Sequence, residues 1–248
     1  MTKSMTLMVC PHDTAGDPIK WFQFAQYLTR YCENSTQYYK CLDFTEFHQK
    51  MSQADIVYAN PQDSLELLEK YNYVPLVHST NLYDEIVFIA NNEVENDSLS
   101  LLNNSECLSC NGMMVTRIGI KGLLEQNIKP KRIFSKDNWM AVVKSVSQGE
   151  KPYGFVYKDF YDGLNKLSKS LVTKMAETSQ QSIFHSVFIK AEFADKSDKL
   201  IKLLSEAHLD EKGRDTLKGV NIEKFIPVAR AEILSFKTLL DLESEIME

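Results

Sequence analysis

The sequence predicts an α/β protein of two lobes, in which mainly parallel sheets are connected by a hinge and a ligand cleft lies between the lobes. Strand-like and helix-like segments alternate with short connections, which is typical of parallel sheets, and two such sets follow each other along the chain. A strand-like segment at 183–193 comes late and is followed only by helical segments. That order is expected of a chain that returns from a second lobe to complete its first.

Short apolar runs that end at turn residues or prolines predict the strands of the first 91 residues. In chain order they are MTLMVCP, QYYKCLDF, ADIVYANP, YVPLVHS and DEIVFIAN. HDTAGD is interpreted as a loop, and the apolar residues from Trp21 to Leu28 recur at helical spacing after it. Thr45 is expected to cap a short helix that ends at Met51, and QDSLELLEKY predicts another helix.

The same alternation continues in the second half of the chain. SLSLLNN predicts a short helix, and a longer helix is expected over Gly112–Gln126. The next segments are the strand KRIFS, the helix DNWMAVVKSVSQ with Asp137 as its cap, the strand YGFVY and a helix that begins in KDFYDGLNKLS. Two strands, SLVTKMAETS and IFHSVFIKAEF, precede the closing helices KSDKLIKLLSEAHL, EKGRDTL and ARAEILSFKTLLDLE. We therefore assign 1–88 plus 186–248 to lobe one and 89–185 to lobe two.

Composition and charge exclude several classes of protein. Of the 248 residues, 44% are hydrophobic and 25% are charged, as in a soluble globular protein with a core. The net charge of −6 argues against nucleic acid as a partner, because nucleic-acid binding relies on a basic surface. No apolar run approaches the length of a membrane span, so a membrane-spanning protein is not expected.

The N-terminus and the cysteines bear on the cellular compartment. The only apolar run in MTKSMTLMVCPHD is Met5–Cys10, and no cleavage site follows, so the segment is not a signal peptide. We expect a cytoplasmic protein if this N-terminus is native, and a periplasmic or membrane-associated one if a leader was removed. The odd number of five cysteines favours reduced thiols and the cytosol.

Five stretches of the chain resemble one family in their content and serial order. They are the first strand ending at Pro11 with the following FAQYLTRY, ADIVYANPQDSLELL, VPLVHSTNLYDEIVFIANN, DNWMAVVKSVSQGEKPYGFVYKDFYDGL and LIKLLSEAHLDEKGRDTLKGVNIEKFIPV. Together they resemble the phosphate/phosphite/phosphonate substrate-binding proteins of ABC transporters (PhnD-like). The resemblance implies a two-lobed periplasmic-binding-type fold. It also implies capture of a small oxyanion for uptake, an ABC permease as partner, no cofactor and no catalysis.

The stretch ECLSCNGMMVTR contains the segment that corresponds to the family's anion loop. In the family, a Ser-Thr-Ser-Gly loop before a helix holds the oxyanion of the ligand. The corresponding residues are Ser109, Cys110, Asn111 and Gly112, and the family hydroxyl has become a thiol at Cys110. Free N–H groups and the dipole of a helix N-terminus favour an anion. The alternative is an inert helix cap without a ligand.

Five further residues are candidate ligand contacts. The resemblance places a pocket tyrosine at Tyr83 and an acidic residue for an amino or hydroxyl group of the ligand at Asp159. Tyr161 follows the same strand end, and Asn60 and His12 follow two other strands. The alternatives are a half-buried strand aromatic for Tyr83, a helix cap for Asp159 and turn chemistry for Asn60.

Two other functions remain open from the residues themselves. One is a sensory or accessory binding protein of the same fold, in the cytosol and with a signalling partner. The other is a soft-metal site of Cys10, His12, Cys107 and Cys110, because Cys107 and Cys110 have C-x-x-C spacing but no second ligand pair follows in sequence. A redox pair of the thioredoxin type is a further alternative, but it would need its first cysteine at the N-terminus of a helix. Here the second cysteine, Cys110, lies nearer the helix. Cys107 fits a buried strand as a small apolar residue.

Signatures of catalysis are scarce in the chain. G-x-S-x-G, Walker, H-E-x-x-H and G-x-G-x-x-G motifs do not occur in the expected contexts. A pyrimidine-synthase-like protein of thiamine biosynthesis shares the expected fold, but it would need a cysteine-rich iron motif that this chain lacks. We therefore predict a binding protein and not an enzyme.

Overall fold

The computed structural model describes residues 4–14, 18–31, 35–95 and 97–242. Its strands are β1 Met5–Val9, β2 Thr36–Tyr39, β3 Ile56–Ala59, β4 Tyr73–Ser79, β5 Ile86–Asn91, β6 Glu106–Ser109, β7 Arg132–Ser135, β8 Tyr153–Tyr157, β9 Val172–Glu177, β10 Ser186–Lys190 and β11 Phe225–Pro227. Its α-helices are α1 Pro11–Thr14, α2 Pro18–Tyr31, α3 Phe44–Lys50, α4 Pro61–Glu69, α5 Met114–Leu124, α6 Trp139–Ser147, α7 Lys158–Gly163, α8 Lys166–Lys169, α9 Ser197–Glu206, α10 Glu211–Gly219, α11 Arg230–Ser235 and α12 Lys237–Leu240. Short 3-10 helices cover Met51–Gln53, Leu99–Leu102, Ala191–Lys196 and Ala207–Leu209.

The chain forms two compact units, each with its own sheet. Unit one contains the residues up to Tyr83 together with Phe184–Phe236. Unit two contains Asp84–Ile183 and the segment that begins at Lys237. The chain therefore passes between the units after Tyr83, after Ile183 and after Phe236. The expected two-lobed α/β fold is confirmed.

The sheet of unit one has the strand order β11-β4-β10-β3-β1-β2. β1 pairs in parallel with β2 and β3, whereas β10 is antiparallel to β3 and β4, and β11 is antiparallel to β4. Ser186 is paired with Ala59, so the amino end of β10 lies at the carboxyl end of β3. Residues that precede β10 are thereby brought to the edge where the loops after β1 and β3 begin.

The sheet of unit two has the order β7-β6-β8-β5-β9. β6 is parallel to β7 and β8, and β5 is antiparallel to β8 and β9. Four strands of this sheet consequently run in one direction and only β5 is reversed. Ile86 is paired with Tyr157, so Asp84 and Glu85 lie at the carboxyl end of β8. The loops after β6, β7 and β8 leave from this same edge.

Helix α2 covers the sheet of unit one with an apolar face. Trp21, Phe24 and Leu28 are buried at helical spacing. The ring centroids of Trp21 and Tyr58 are 5.0 Å apart, and those of Phe24 and Phe225 are 6.2 Å apart. Burial of apolar surface of this kind stabilises the folded unit.

Helix α6 packs on the sheet of unit two at a position that only glycine allows. A Cβ atom at Gly154 would lie 2.9 Å from methyl carbons of Val142 and Val146. Any other residue would push the helix away from the strand or distort its side chains. The N-terminus of α6 is capped by Asn138, whose side chain accepts from the N–H of Ala141 at 2.9 Å.

The end of the described chain is fixed to unit two by Arg117. Its guanidinium donates to the carbonyl oxygens of Leu239, Leu240 and Leu242 at 3.3, 3.2 and 3.0 Å. These are carbonyls at the C-terminal end of α12, which have no partner within a helix, so a cation satisfies them well. The prediction that all of 186–248 returns to lobe one did not anticipate this contact.

Several element boundaries differ from the sequence prediction. Helix α5 begins at Met114 rather than at Gly112 and ends at Leu124 rather than at Gln126. Asn138, not Asp137, caps α6, and Asp43, not Thr45, caps α3 through the N–H of Glu46. In each case the capping side chain lies where the backbone is still extended, so that its oxygen reaches an N–H group three residues on.

Two further elements were not predicted. The segment interpreted as the loop HDTAGD starts with helix α1, and 15–17 lie outside the described residues. β11 is only three residues long, and its pairing with β4 is a long-range contact that periodicity does not reveal. Among the described helices, none has both the length and the apolar character needed to cross a membrane.

Candidate functional site

The loop that leaves β6 in unit two carries four of the predicted ligand residues. Ser109, the last residue of β6, is fully buried. Its hydroxyl oxygen lies 2.8 Å from the hydroxyl oxygen of Thr116 and 3.2 Å from the carbonyl oxygen of Phe155. The contacts of this hydroxyl are therefore internal to unit two.

The next two residues of the loop are anchored as well. Cys110 is buried, and burial, with a smaller contribution from the negative charge of Asp137, raises the pKa of its thiol to about 12. The side-chain amide of Asn111 donates to the carbonyl of Ile133 at 2.8 Å, and its main-chain N–H donates to the hydroxyl of Ser135 at 3.3 Å. The loop is thus held to the end of β7 with a neutral thiol beside it.

The first turn of α5 has main-chain donors that no side chain caps within the described part of the chain. The N-cap residue is Met113, whose backbone is extended and whose side chain cannot accept a hydrogen bond from an N–H group as an oxygen would. The N–H of Thr116 bonds to the carbonyl of Met113 at 3.1 Å. The N–H groups of Met114 and Val115, the first two helical residues, have no acceptor within the helix. Together with the helix dipole they form a suitable element for an anion.

Gly112 precedes this turn and has open space beside its Cα atom. A Cβ atom at Gly112 would have no atom within 4 Å. Lys136, the residue after β7, donates its main-chain N–H to the carbonyl of Ser109 at 2.8 Å, and its ammonium lies 2.6 Å from Glu150. The charge of Lys136 is therefore balanced by Glu150.

A polar cavity of about 460 Å³ lies between the loop after β7 and helix α6. It is lined by Ser135, Lys136, Asp137, Ala141, Lys144, Ser145 and Gln148. Both signs of charge line it, so its electrostatics do not select an anion or a cation.

Asp159 and a tyrosine that the sequence did not single out lie together at the carboxyl end of β8. The hydroxyl of Tyr157 lies 3.2 Å from a carboxylate oxygen of Asp84 and 3.2 Å from one of Asp159. Tyr157 is the N-cap residue of α7, and Asp159 is exposed in its first turn. Two carboxylates around one phenol favour a cationic or hydrogen-bond-donating group.

Tyr161 is placed differently from Asp159. Its side chain is buried in α7, and burial raises the pKa of its hydroxyl. The ammonium groups of Lys169 and Lys174 lie 5.5 and 5.9 Å from the centre of its ring. These distances are those of cation–π contacts, which account for the position of this ring without a ligand.

In unit one, Asn60 caps helix α4. Its side-chain oxygen accepts from the N–H of Asp63 at 2.9 Å, and its amide nitrogen lies 2.5 Å from the carboxylate of Asp63 and 3.5 Å from the sulfur of Cys10. His12 lies in α1 with an exposed side chain, and its ring meets that of Phe44 edge-on at 4.8 Å. Asn60 is therefore anchored, whereas the ring of His12 is accessible to solvent.

Two histidine–carboxylate pairs at this edge of unit one were missed. Nδ1 of His185 lies 2.8 Å from a carboxylate oxygen of Asp13. Nε2 of His48 lies 2.9 Å from Asp63. Asp63 is buried, and this burial raises the pKa of its carboxyl, although the neighbouring His48 opposes the shift. His185 lies before β10, and because β10 is antiparallel to β3, its amino end and not its carboxyl end lies at this edge, which the sequence pattern does not reveal.

Tyr83 is the last residue of unit one before the first crossing. Its ring centroid is 6.3 Å from the ring of His78 and 6.3 Å from that of Phe184. His78 and Phe184 are stacked with centroids 3.8 Å apart. Tyr83 thus belongs to an aromatic cluster and is only partly buried.

The soft-metal hypothesis finds no support in the described residues. Within 4–14, 18–31, 35–95 and 97–242, no three or more His, Cys, Asp or Glu side chains are arranged to hold a metal ion. Burial raises the pKa of the Cys10 thiol well above its usual value and that of Cys107 to about 12. Metal ligands and redox nucleophiles need the thiolate, which these surroundings disfavour.

A family model described as the periplasmic phosphonate substrate-binding protein of ABC transporters matches residues 9–233. No curated protein matches the chain. The family match covers both units, including the β6–α5 loop and the edge of unit one with His12 and Asn60.

Solved structures of similar fold share little sequence with this chain. PhnD1 from Prochlorococcus marinus in complex with methylphosphonate has a TM-score of 0.72 and 13% identity, covering 96% of this chain and 97% of that one. The periplasmic aliphatic sulphonate binding protein from Escherichia coli has a TM-score of 0.68 and 11% identity over 98% of this chain and 87% of that one. A Xanthomonas citri protein bound to ATP has a TM-score of 0.67 and 14% identity over 96% of each chain. At these identities the likeness shows the fold alone.

Proposed function

Because this chain belongs to the family of periplasmic phosphonate substrate-binding proteins of ABC transporters, we propose that it binds a small oxyanion of the phosphonate or phosphate class for uptake. A periplasmic location, delivery to an ABC permease and the absence of catalysis are parts of the same proposal. Proteins of the same fold include a sulphonate binding protein and a protein bound to ATP, so the test must compare several classes of anion.

The observation that carries the proposal is the uncapped N-terminus of α5. The N–H groups of Met114 and Val115 have no acceptor within the helix, and a Cβ atom at Gly112, just before this turn, would have no atom within 4 Å. An anion placed there would accept charge-assisted hydrogen bonds and interact favourably with the helix dipole. The ligand would be held mainly by main-chain donors.

The side chains of the loop shape this site rather than supply its charge. The hydroxyl of Ser109 and the amide of Asn111 are used within unit two. The thiol of Cys110 is neutral near pH 7 because its pKa is about 12, so it does not repel an anion.

The organic part of the ligand is proposed to interact with the other predicted residues. Asp159, with Tyr157 and Asp84, would accept hydrogen bonds from an amino or hydroxyl group. His12, Asn60 and Tyr83 in unit one and Tyr161 in unit two are proposed as further contacts. Of these, the exposed His12 and Asp159 are the most accessible to a ligand.

A thermal-shift panel tests the proposal. The panel contains phosphate, phosphite, methylphosphonate, 2-aminoethylphosphonate, sulfate, methanesulfonate and ATP, and hits are quantified by isothermal titration calorimetry. Since a ligand that binds only the folded state raises the melting temperature, we expect at least one phosphorus oxyanion to do so. If neither phosphate nor any phosphonate raises it, the oxyanion proposal is wrong.

A further inference from the structure

An exposed patch of leucines and lysines lies around α8 in unit two. The patch, called the α8 patch below, consists of Lys166, Leu167, Lys169, Leu171 and Lys174. The side chain of Leu167 is 77% exposed and that of Leu171 is 42% exposed. These residues lie in and just after one short helix, at the start of the edge strand β9.

Part of the charge near the α8 patch is balanced by two acidic residues. Lys158 lies 2.7 Å from Asp162 and 3.1 Å from Glu177, and Lys174 lies 2.6 Å from Glu177. Two lysines and two carboxylates therefore form one network, whose net charge is zero.

Lys166 and Lys169 do not belong to that ion-pair network. Lys166 is exposed and forms no ion pair with the described residues. Lys169 donates to the main-chain carbonyl of Asp162 at 2.8 Å and lies 5.5 Å from the ring of Tyr161, so its charge is positioned but not neutralised. In a chain of net charge −6 these two cations beside two exposed leucines are a local exception.

The start of α8 is capped by a side chain of the same unit. The side chain of Asn165 accepts from the N–H of Ser168 at 2.9 Å, and the N–H of Lys169 bonds to the carbonyl of Asn165 at 3.0 Å. The patch therefore offers aliphatic side chains surrounded by ammonium groups.

We propose that the α8 patch contacts the surface of an anionic lipid bilayer. Protein–protein interfaces are depleted of lysine and enriched in tyrosine, tryptophan and arginine, which this patch does not expose. Leucines that enter the headgroup region, with lysines that extend their aliphatic stems along it and pair with lipid phosphates, fit a bilayer instead. The contact is peripheral and weakens as salt screens the charges.

Co-sedimentation with vesicles tests this proposal. The full chain is mixed at low ionic strength with vesicles of phosphatidylglycerol and phosphatidylcholine in equal parts, or of phosphatidylcholine alone. We expect binding to the anionic vesicles only, and a partition coefficient roughly tenfold lower for the double variant Leu167→Ser/Leu171→Ser and for Lys166→Glu. Added salt should abolish the difference between the two vesicle types.

A matched control separates the patch from exposed leucines in general. Leu42 in unit one is 85% exposed and adjoins Asp43, so Leu42→Ser removes an equally accessible leucine from an acidic surrounding. It should leave vesicle binding unchanged. Equal binding to both vesicle types, or wild-type binding by the patch variants at unchanged melting temperature, would overturn the proposal. Binding of the patch to an acidic protein but not to anionic vesicles would overturn it too.

Discussion

The hydroxyl oxygens of Ser109 and Thr116 lie 2.8 Å apart inside unit two. Ser109 also approaches the carbonyl of Phe155 at 3.2 Å, and Thr116 donates to the carbonyl of Cys110 at 2.9 Å. The two hydroxyl groups have two protons to donate, but they make three contacts with oxygen atoms in this buried network. Ser109 is the residue that the family resemblance assigns to the oxyanion, yet its described partners belong to the protein itself.

We expect Ser109→Ala to reduce stability more than ligand affinity. The substitution leaves buried oxygens at Thr116 and Phe155 with fewer partners, which costs about 1–3 kcal/mol in the free energy of unfolding. Urea unfolding of Ser109→Ala, Thr116→Val and the double variant measures this cost and the coupling between the two hydroxyls. An affinity loss without a stability loss for Ser109→Ala would instead indicate that this hydroxyl contacts the ligand.

Met114→Pro removes one proposed anion donor and keeps the helix. Proline is tolerated at the first helical position, and the extended backbone of Met113 suits a residue before proline. Loss of a hydrogen bond to a charged ligand predicts an affinity about tenfold to a hundredfold lower for the oxyanion found in the thermal-shift panel. Isothermal titration calorimetry provides the measurement.

Met114→Ala is the control for that substitution, because it removes the buried side chain but keeps the N–H group. We expect Met114→Ala to bind the anion nearly as well as the wild type. If both variants lose affinity equally, packing of the side chain and not the N–H group supports the site.

The buried thiols should react slowly with alkylating reagents in the native protein. With pKa values of about 12 for Cys107 and Cys110, roughly one thiol in ten thousand is ionised at pH 8. We expect iodoacetamide to label neither residue under native conditions and both residues in denaturant, as measured by mass spectrometry in a Cys32→Ser background. Rapid labelling of Cys110 in the native protein would contradict this expectation and support the redox interpretation.

His78 should contribute to loss of stability in mild acid. Burial lowers its pKa from the usual 6.5, so the unfolded chain binds a proton more readily than the folded protein. The contribution of His78 is therefore present above pH 6.5 and is lost as the pH falls from there through the lowered pKa. Urea unfolding between about pH 7.5 and about pH 5.5 should show a smaller decline for His78→Gln than for the wild type.

His78→Gln also removes a stacking contact, because the ring centroids of His78 and Phe184 are 3.8 Å apart. The substitution therefore changes stability at every pH. The comparison must therefore use the slope of stability against pH and not the absolute stability. An unchanged slope would contradict the assigned contribution of His78.

The succession of strands and helices was readable from the sequence because it depends on local periodicity. Apolar runs such as DEIVFIAN and the helical spacing from Trp21 to Leu28 identify β5 and α2 closely. Caps were misplaced by one or two residues, as at Asn138 against Asp137, because several polar residues near a helix start can each serve as a cap.

The sequence by itself determined the two-lobed α/β class, the loop before α5 and the family resemblance, all of which depend on local segments and their order along the chain. Only the tertiary structure decided which groups the polar side chains contact. In the folded protein, the hydroxyl of Ser109 contacts Thr116 and Phe155. Strand β10 is antiparallel to β3, and His185, which precedes β10, contacts Asp13. Such pairings join residues far apart in sequence and arise from sheet order and burial, for which a local pattern carries no signal.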